Sequence, residues 1–142
     1  SEIEKAWREG RADVDIVPQG TLIERIRAAG AGIPAFYTPT GAGTSVAEGR
    51  EQREFNGRLH LLEYALRADY ALIRAKKADT HGNLQYVGTS RAFNPAMATA
   101  AEITIAEVDE IVEPGGIDPE RVGTVSTHVN RIVQRDVGDP LP

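Results

Sequence analysis

Val17-Pro18-Gln19-Gly20-Thr21-Leu22-Ile23-Glu24-Arg25-Ile26-Arg27-Ala28-Ala29-Gly30-Ala31-Gly32-Ile33-Pro34-Ala35-Phe36-Tyr37 is the stretch on which the fold reading turns. Just before it, Asp13 to Val17 alternates, with Val14 and Ile16 on one face, which predicts a strand closed by Pro18. Thr21 and Glu24 have the spacing of a capping box, and Leu22, Ile23, Ile26 and Ala29 form the apolar stripe of a helix that Gly30 ends. Ile33 to Tyr37 reads as a second short strand. Strand, turn, helix and strand in that order make a small βαβ unit, which predicts a parallel sheet.

Upstream, Ser1 to Arg8 reads as a helix with Ser1 and Glu4 as its capping box and Gly10 as its stop. Downstream, Thr38 to Gly49 is a loop rich in Gly, Thr and Pro, and Glu51–Phe55 with Leu59–Leu62 forms a hairpin around Asn56-Gly57. A short helix over Glu63–Leu66 leads into a buried strand over Asp69–Ala75, and His81-Gly82-Asn83 turns the chain into Leu84–Val87. Asn94-Pro95 opens a helical stretch over Ala96–Ala101, followed by a long strand over Glu102–Val112 with a bulge near Glu107. Asp118 and Pro119 have the pattern of a cap and first helical position, Thr127–Val133 is the last strand, and the tail from Gly138 to Pro142 is expected to fray. The fold class is therefore α/β: a mixed, mainly parallel sheet flanked by helices, in a single domain over residues 1–142.

Composition narrows the function classes. The chain has 142 residues, 41% hydrophobic and 26% charged, which suits a packed domain rather than a disordered one. It has no cysteine, which excludes disulfides, thiol catalysis and Cys-based zinc sites and is compatible with the cytoplasm. A net charge of −5, with Lys and Arg scattered among acids, argues against nucleic acid as a partner. No apolar run is long enough to span a bilayer, so no membrane association is expected, and the residues present open on no signal peptide.

Chemistry has few places to sit. Gln19 and Gly20 lie between a strand end and a helix start, where free N–H groups gather anions and an amide donor suits a developing oxyanion. Gln19 hydrogen-bonding only its own turn is the alternative. Gly30, Gly32, Gly41 and Gly43, with Thr38, Thr40 and Thr44, could let backbone approach a phosphate or pantetheine, or could form a tight surface loop. Lys76-Lys77 could meet a phosphate, or could be a solvated strand end, which is the favoured reading. Asn94 is either a ligand contact beside Arg91 or the helix cap ahead of Pro95. His60, His81 and His128 have no metal-ligand spacing, so no metal is expected.

Longer runs carry a resemblance. Pro18-Gln19-Gly20-Thr21-Leu22 and Glu24-Arg25-Ile26-Arg27-Ala28 resemble a segment of the 3-oxoacid CoA-transferases. Gly30-Ala31-Gly32-Ile33-Pro34-Ala35-Phe36-Tyr37-Thr38-Pro39-Thr40-Gly41 is similar to the same family's longest signature. Arg53-Glu54-Phe55-Asn56-Gly57, Lys77-Ala78-Asp79, Phe93-Asn94-Pro95, Glu107-Val108 and Arg131-Ile132-Val133 continue it in order. The resemblance implies the smaller, A-type subunit of a succinyl-CoA:3-oxoacid or 3-oxoadipate CoA-transferase, with the CoA-transferase fold. It implies a ping-pong reaction through a glutamyl-CoA thioester on a glutamate of the B-type partner subunit, in a hetero-oligomer. Gln19 matches the family's oxyanion-stabilising glutamine, and Gly20, Gly32, Phe36, Thr38, Gly41 and Asn94 are the expected substrate and CoA contacts. Coenzyme A would be a substrate, alongside a 3-oxoacid, with no bound cofactor.

The sequence departs from the family pattern in lacking its glycine-rich N-terminal motif, so the expectation is the C-terminal two-thirds of the A-type subunit, incomplete at the N-terminus and inactive alone. Lys76, Ala92 and Asn130 also stand where the family commonly has Trp, Asn and His. A CoA-ester hydrolase on the same scaffold and a non-catalytic assembly or regulatory domain are the alternatives.

Overall fold

The computed structural model describes residues 1–136, so the expected fraying from Gly138 onward lies outside the described residues. Helix α1 covers Glu2–Arg8, with the Ser1/Glu4 capping box formed as expected. None of its residues is buried.

The strand expected over residues 13–17 does not form. Val14 and Ile16 are exposed and the segment has no regular structure. Alternation marks a strand only where it pairs with a neighbour, and among the described residues no strand hydrogen-bonds to this segment. Helix α2, Gln19–Gly30, starts two residues before Thr21, with Pro18 at the cap position and no side-chain cap. The expected Thr21/Glu24 capping box is therefore absent. Thr21 is buried with its Oγ1 unpartnered, and Glu24 pairs with Arg27 at 2.7 Å. Pro18 accounts for the early start, because its fixed φ suits a helix entrance.

The far end of α2 also differs from the expectation. Gly30 is still helical, and Gly32, at φ 71°, is the terminator. Gly32 N–H donates to the Ala29 carbonyl at 3.1 Å and Ile33 N–H to the Ala28 carbonyl at 2.9 Å, the bond pair of a Schellman motif. Gly30 serves packing instead: a Cβ there would lie 2.0 Å from Thr99 Oγ1, so its absence lets α2 close on the helix that follows.

Two sheets follow. In the first, β1 (Ala35–Thr38) and β2 (Gln52–Phe55) flank β3 (Arg58–Tyr64), all antiparallel. The hairpin turn is as expected, with Asn56 and Gly57 both at positive φ. The helix expected at Glu63–Leu66 is absent, because β3 runs on to Tyr64 with Leu61 and Glu63 both facing inward. Since β1 pairs antiparallel, the βαβ unit expected over residues 13–37 is not formed.

The second sheet has the order β5-β4-β6-β7, where β4 is Ala68–Asp79, β5 Leu84–Gln85, β6 Ala101–Val112 and β7 Arg131–Gln134. Here β4 and β6 are parallel, as are β6 and β7, while β5 turns back antiparallel on β4. The parallel crossover lies between β4 and β6, through helix α3 (Asn94–Ala100). Register holds from Ala68 opposite Ala101 to Asp79 opposite Val112, so the bulge expected near Glu107 is absent. The last strand starts at Arg131, preceded by a single 3-10 turn at Ser126–His128 in place of the expected strand start at Thr127. Asp118 caps the short turn at Pro119 as expected, accepting from Glu120 N–H at 3.0 Å.

The core lies between one face of the second sheet (Ala71, Ile73, Ala75, Ala106, Val108) and Met97 and Ala98 of α3, with Leu84 and Tyr86 closing one side. The opposite face carries Tyr70, Leu72 and Val133, 61%, 71% and 52% exposed. The α/β class with a mixed sheet stands, and its parallel pairs are confined to β4, β6 and β7.

Candidate functional site

Gln19 is the first residue of α2 and is exposed together with Gly20. The first intrahelical bond runs from Leu22 N–H to the Pro18 carbonyl at 2.9 Å. The N–H groups of Gln19, Gly20 and Thr21 therefore lie ahead of the hydrogen-bonded ladder, at the positive pole of a twelve-residue helix. Pro18 has no side chain able to cap them. An amide side chain beside free N–H groups in solvent is an arrangement that can receive an oxyanion.

Phe36 and Thr38 sit on β1, opposite Glu63 and Leu61. Thr38 Oγ1 accepts from Thr40 N–H at 3.2 Å. Gly41 follows at φ 80°, where a Cβ would touch Val46 and Leu61, and its carbonyl accepts from Thr44 Oγ1 at 2.7 Å. Gly43 N–H donates to Gln52 Oε1 at 3.0 Å, pinning the loop to β2. The hydroxyl of Tyr37 donates to Glu51, and that hydrogen bond, together with burial, raises the phenol above its ordinary range.

One of the expected contacts lies apart from Gln19. Gly32 is at the opposite end of α2 from Gln19, and a twelve-residue helix is about 18 Å long. Its conformational role accounts for the glycine locally. Gly32→Ala is expected to lower stability by about 1–2 kcal/mol, since a Cβ disfavours that left-handed backbone. Thermal or urea unfolding measures it; unchanged stability would remove the Schellman explanation and return the residue to ligand binding alone. Asn94 is held at both ends of its amide: Oδ1 accepts from Arg74 N–H at 3.3 Å and Nδ2 donates to the Ser90 carbonyl at 2.8 Å. It ties α3 to β4, while Phe93 occupies the cap position expected for Asn94.

One buried polar group is not among the residues expected from the sequence. Glu63 is buried on β3, with Arg50 Nη2 at 2.7 Å and Arg25 Nε at 3.9 Å from its Oε2. The signal in the sequence is an acid at the next position of the alternation set by Leu59 and Leu61. A second acid, Asp79, is 6% exposed. Burial pushes its carboxyl up, but hydrogen bonds from the Asn83 side chain and from the backbone N–H groups of Asn83, His81 and Gly82 outweigh that and hold it below the usual range. This is a turn clasp that closes residues 79–83. Among the described residues no three acid or histidine side chains converge as a metal-binding set, and no helix is long and apolar enough to cross a membrane.

Residues 1–135 match the family described as Coenzyme A transferase. The chain is 56% identical over 132 residues to the A-type subunit of the succinyl-CoA:3-ketoacid coenzyme A transferase of Xanthomonas campestris pv. campestris, covering 93% of this chain and 54% of that protein. It is 51% identical over 130 residues to the A-type subunit of the 3-oxoadipate CoA-transferase of Pseudomonas putida, covering 92% of this chain and 56% of that protein. The chain thus spans about half the length of the curated relatives it matches. Among solved structures, an acyl-CoA transferase from E. coli O157:H7, in a thioester complex with CoA, superposes with a TM-score of 0.83 at 21% identity, covering 97% of this chain and 30% of that one. At that identity the likeness establishes the fold.

Proposed function

Because the chain belongs to the coenzyme A transferase family, we propose that it is part of the A-type subunit of an enzyme that moves CoA from an acyl-CoA of the succinyl-CoA kind to a 3-oxoacid. The observation that carries this reading is the uncapped N-terminus of α2, where Gln19 and Gly20 face solvent and three N–H groups lie ahead of the helical hydrogen-bond ladder. The names of the relatives support the substrate class, and their designation as A-type subunits supports a hetero-oligomer completed by a B-type partner. The reading places the enzyme in the cytoplasm, with coenzyme A as substrate and no resident cofactor.

In this reading a carboxylate of the B-type partner attacks the thioester carbonyl. The carbonyl oxygen takes the negative charge of the tetrahedral intermediate, and the amide of Gln19 with the N–H groups of the first turn of α2 donate to it. CoA thiolate leaves, giving an acyl anhydride with the enzyme. The thiolate then attacks the enzyme's own carbonyl carbon, the first acid leaves as carboxylate, and a protein thioester remains. The acceptor acid reverses these steps. Splitting one exchange into two displacements is the advantage of covalent catalysis. Gly20 leaves the approach to the helix end unobstructed, with nothing within 4 Å of where a Cβ would stand. The Thr38–Gly41 turn supplies hydroxyl and N–H groups for the acyl-CoA.

The ping-pong order has its own test. The assembled enzyme is expected to exchange labelled succinate into succinyl-CoA with no 3-oxoacid present, because the first half-reaction is reversible by itself. Exchange that appears only when the acceptor is added would contradict the protein thioester. Loss of succinyl-CoA to water at the same rate with or without acceptor would favour the hydrolase reading.

A further inference from the structure

Glu63 is a carboxylate in an unusual setting. It lies on the central strand of the three-stranded sheet with its side chain 3% exposed, and its buried Oε2 accepts no hydrogen bond although Arg50 Nη2 is 2.7 Å away. The pair is charge-matched but misaligned. Arg25 Nε, at 3.9 Å, donates instead to the Tyr64 carbonyl at 2.9 Å, and among the described residues its terminal nitrogens meet no other acid. α2 and the segment entering β2 thus bring two guanidinium groups over one buried carboxylate. Within this trio the guanidinium groups outnumber the carboxylate, and a partly buried charge is costly unless something pairs with it.

These groups floor a cleft of about 400 Å³, whose lip carries Asp15, Ile16, Ser45 and Val46. Its size falls in the range of small-molecule sites. Guanidinium groups present paired N–H donors that match a planar carboxylate. Ile16 and Val46, 73% and 42% exposed, offer apolar walls for a short alkyl chain. Asp15 opposes an anion from the lip, but it is exposed and so well screened.

We propose that this cleft is a subsite for the carboxylate of a small organic acid, held by Arg25 and Arg50, with Glu63 beneath them as the positioning residue. That the acid is one exchanged in the CoA-transfer reaction rests on the function proposed above. The subsite itself rests on the two guanidinium groups that converge at the floor of the cleft.

Titration calorimetry of this chain with succinate, and with inorganic phosphate as a second probe, tests it. Succinate is expected to bind in the millimolar range. Ser45→Asp, which places a negative charge on the lip without touching the buried pair, should weaken binding by about tenfold or more, as should Arg50→Gln. Asp15→Asn should tighten it severalfold, an effect that a purely structural role for the lip does not give. No succinate binding, equal binding by the native chain and Ser45→Asp, or phosphate bound more tightly than succinate would each overturn the proposal. Succinate binding with the expected pattern, in an assembled enzyme that transfers no CoA, would leave the subsite standing and remove the transferase reading.

Discussion

Replacing Gln19 with Ala in the assembled enzyme is expected to lower turnover by about a hundredfold to a thousandfold, with little change in stability. Gln19 is exposed, at the first position of α2, so truncation leaves no cavity and unpairs no buried group. On the proposed mechanism it removes a donor to charge that appears only in the transition state, and such donors are worth about 2.7–4 kcal/mol. The loss should fall on kcat and kcat/KM alike, because an interaction absent in the ground state does not hold substrate. Gln19→Glu should be at least as damaging, since it sets a negative charge beside a developing oxyanion. Turnover of Gln19→Ala within a few-fold of the native enzyme would reduce Gln19 to a turn residue and leave the backbone N–H groups as the only donors.

The largest effect on stability is expected at Tyr86. Its side chain is 2% exposed, and its hydroxyl lies 2.8 Å from Thr124 Oγ1. The backbone packs against its ring at Gly123, where a Cβ would come within 2.6 Å of Cδ2. Burial raises the phenol pKa and the bond to Thr124 partly offsets it, so the group stays neutral and serves as a hydrogen-bonded core residue. Tyr86→Ala removes the ring between β5 and the Gly123 segment and should destabilise by about 3–5 kcal/mol. Tyr86→Phe keeps the packing but strands Thr124 Oγ1, which is buried, and should cost about 1–3 kcal/mol. Urea unfolding is the measurement, read as a shift in midpoint at constant slope. A loss below about 1 kcal/mol for Tyr86→Ala would mean that this side of the core reorganises freely.

Local signals were legible where the chain's own neighbours decide the structure. Ser1 and Glu4 cap α1, Asn56-Gly57 makes the hairpin turn, and the stripe of Leu22, Ile23, Ile26 and Ala29 places α2. The misreadings arose where a distant partner decides. Val14 and Ile16 alternate like a strand yet join no sheet among the described residues, whereas Glu63 and Tyr64 extend a strand because β1 lies alongside. The parallel pairing of β4 with β6 joins segments separated by a hairpin and a helix, so no local pattern could announce it.

The candidate site divides in the same way. Gln19 and Gly20 were readable from the strand-like run, the proline and the helix stripe, even though the run is not a strand. For Gly32 the resemblance implies a ligand contact, and the structure adds a conformational role. Its left-handed backbone and two hydrogen bonds show what the fold itself asks of it. Asn94 has its amide committed between Ser90 and Arg74. The Arg25–Glu63–Arg50 group was invisible in the sequence, since its members come from a helix, a strand and a loop that meet only in the folded chain.

We propose that this chain is part of a CoA-transferring enzyme that needs a second subunit. The most direct test is the transfer of CoA from succinyl-CoA to acetoacetate by a full-length A-type subunit carrying this sequence, with and without its B-type partner. The predicted result is acetoacetyl-CoA and succinate in equal amounts, formed only when both subunits are present. No transfer by the pair, with 3-oxoadipate and acetate also tried as acceptors, would contradict the claim and favour a non-catalytic role.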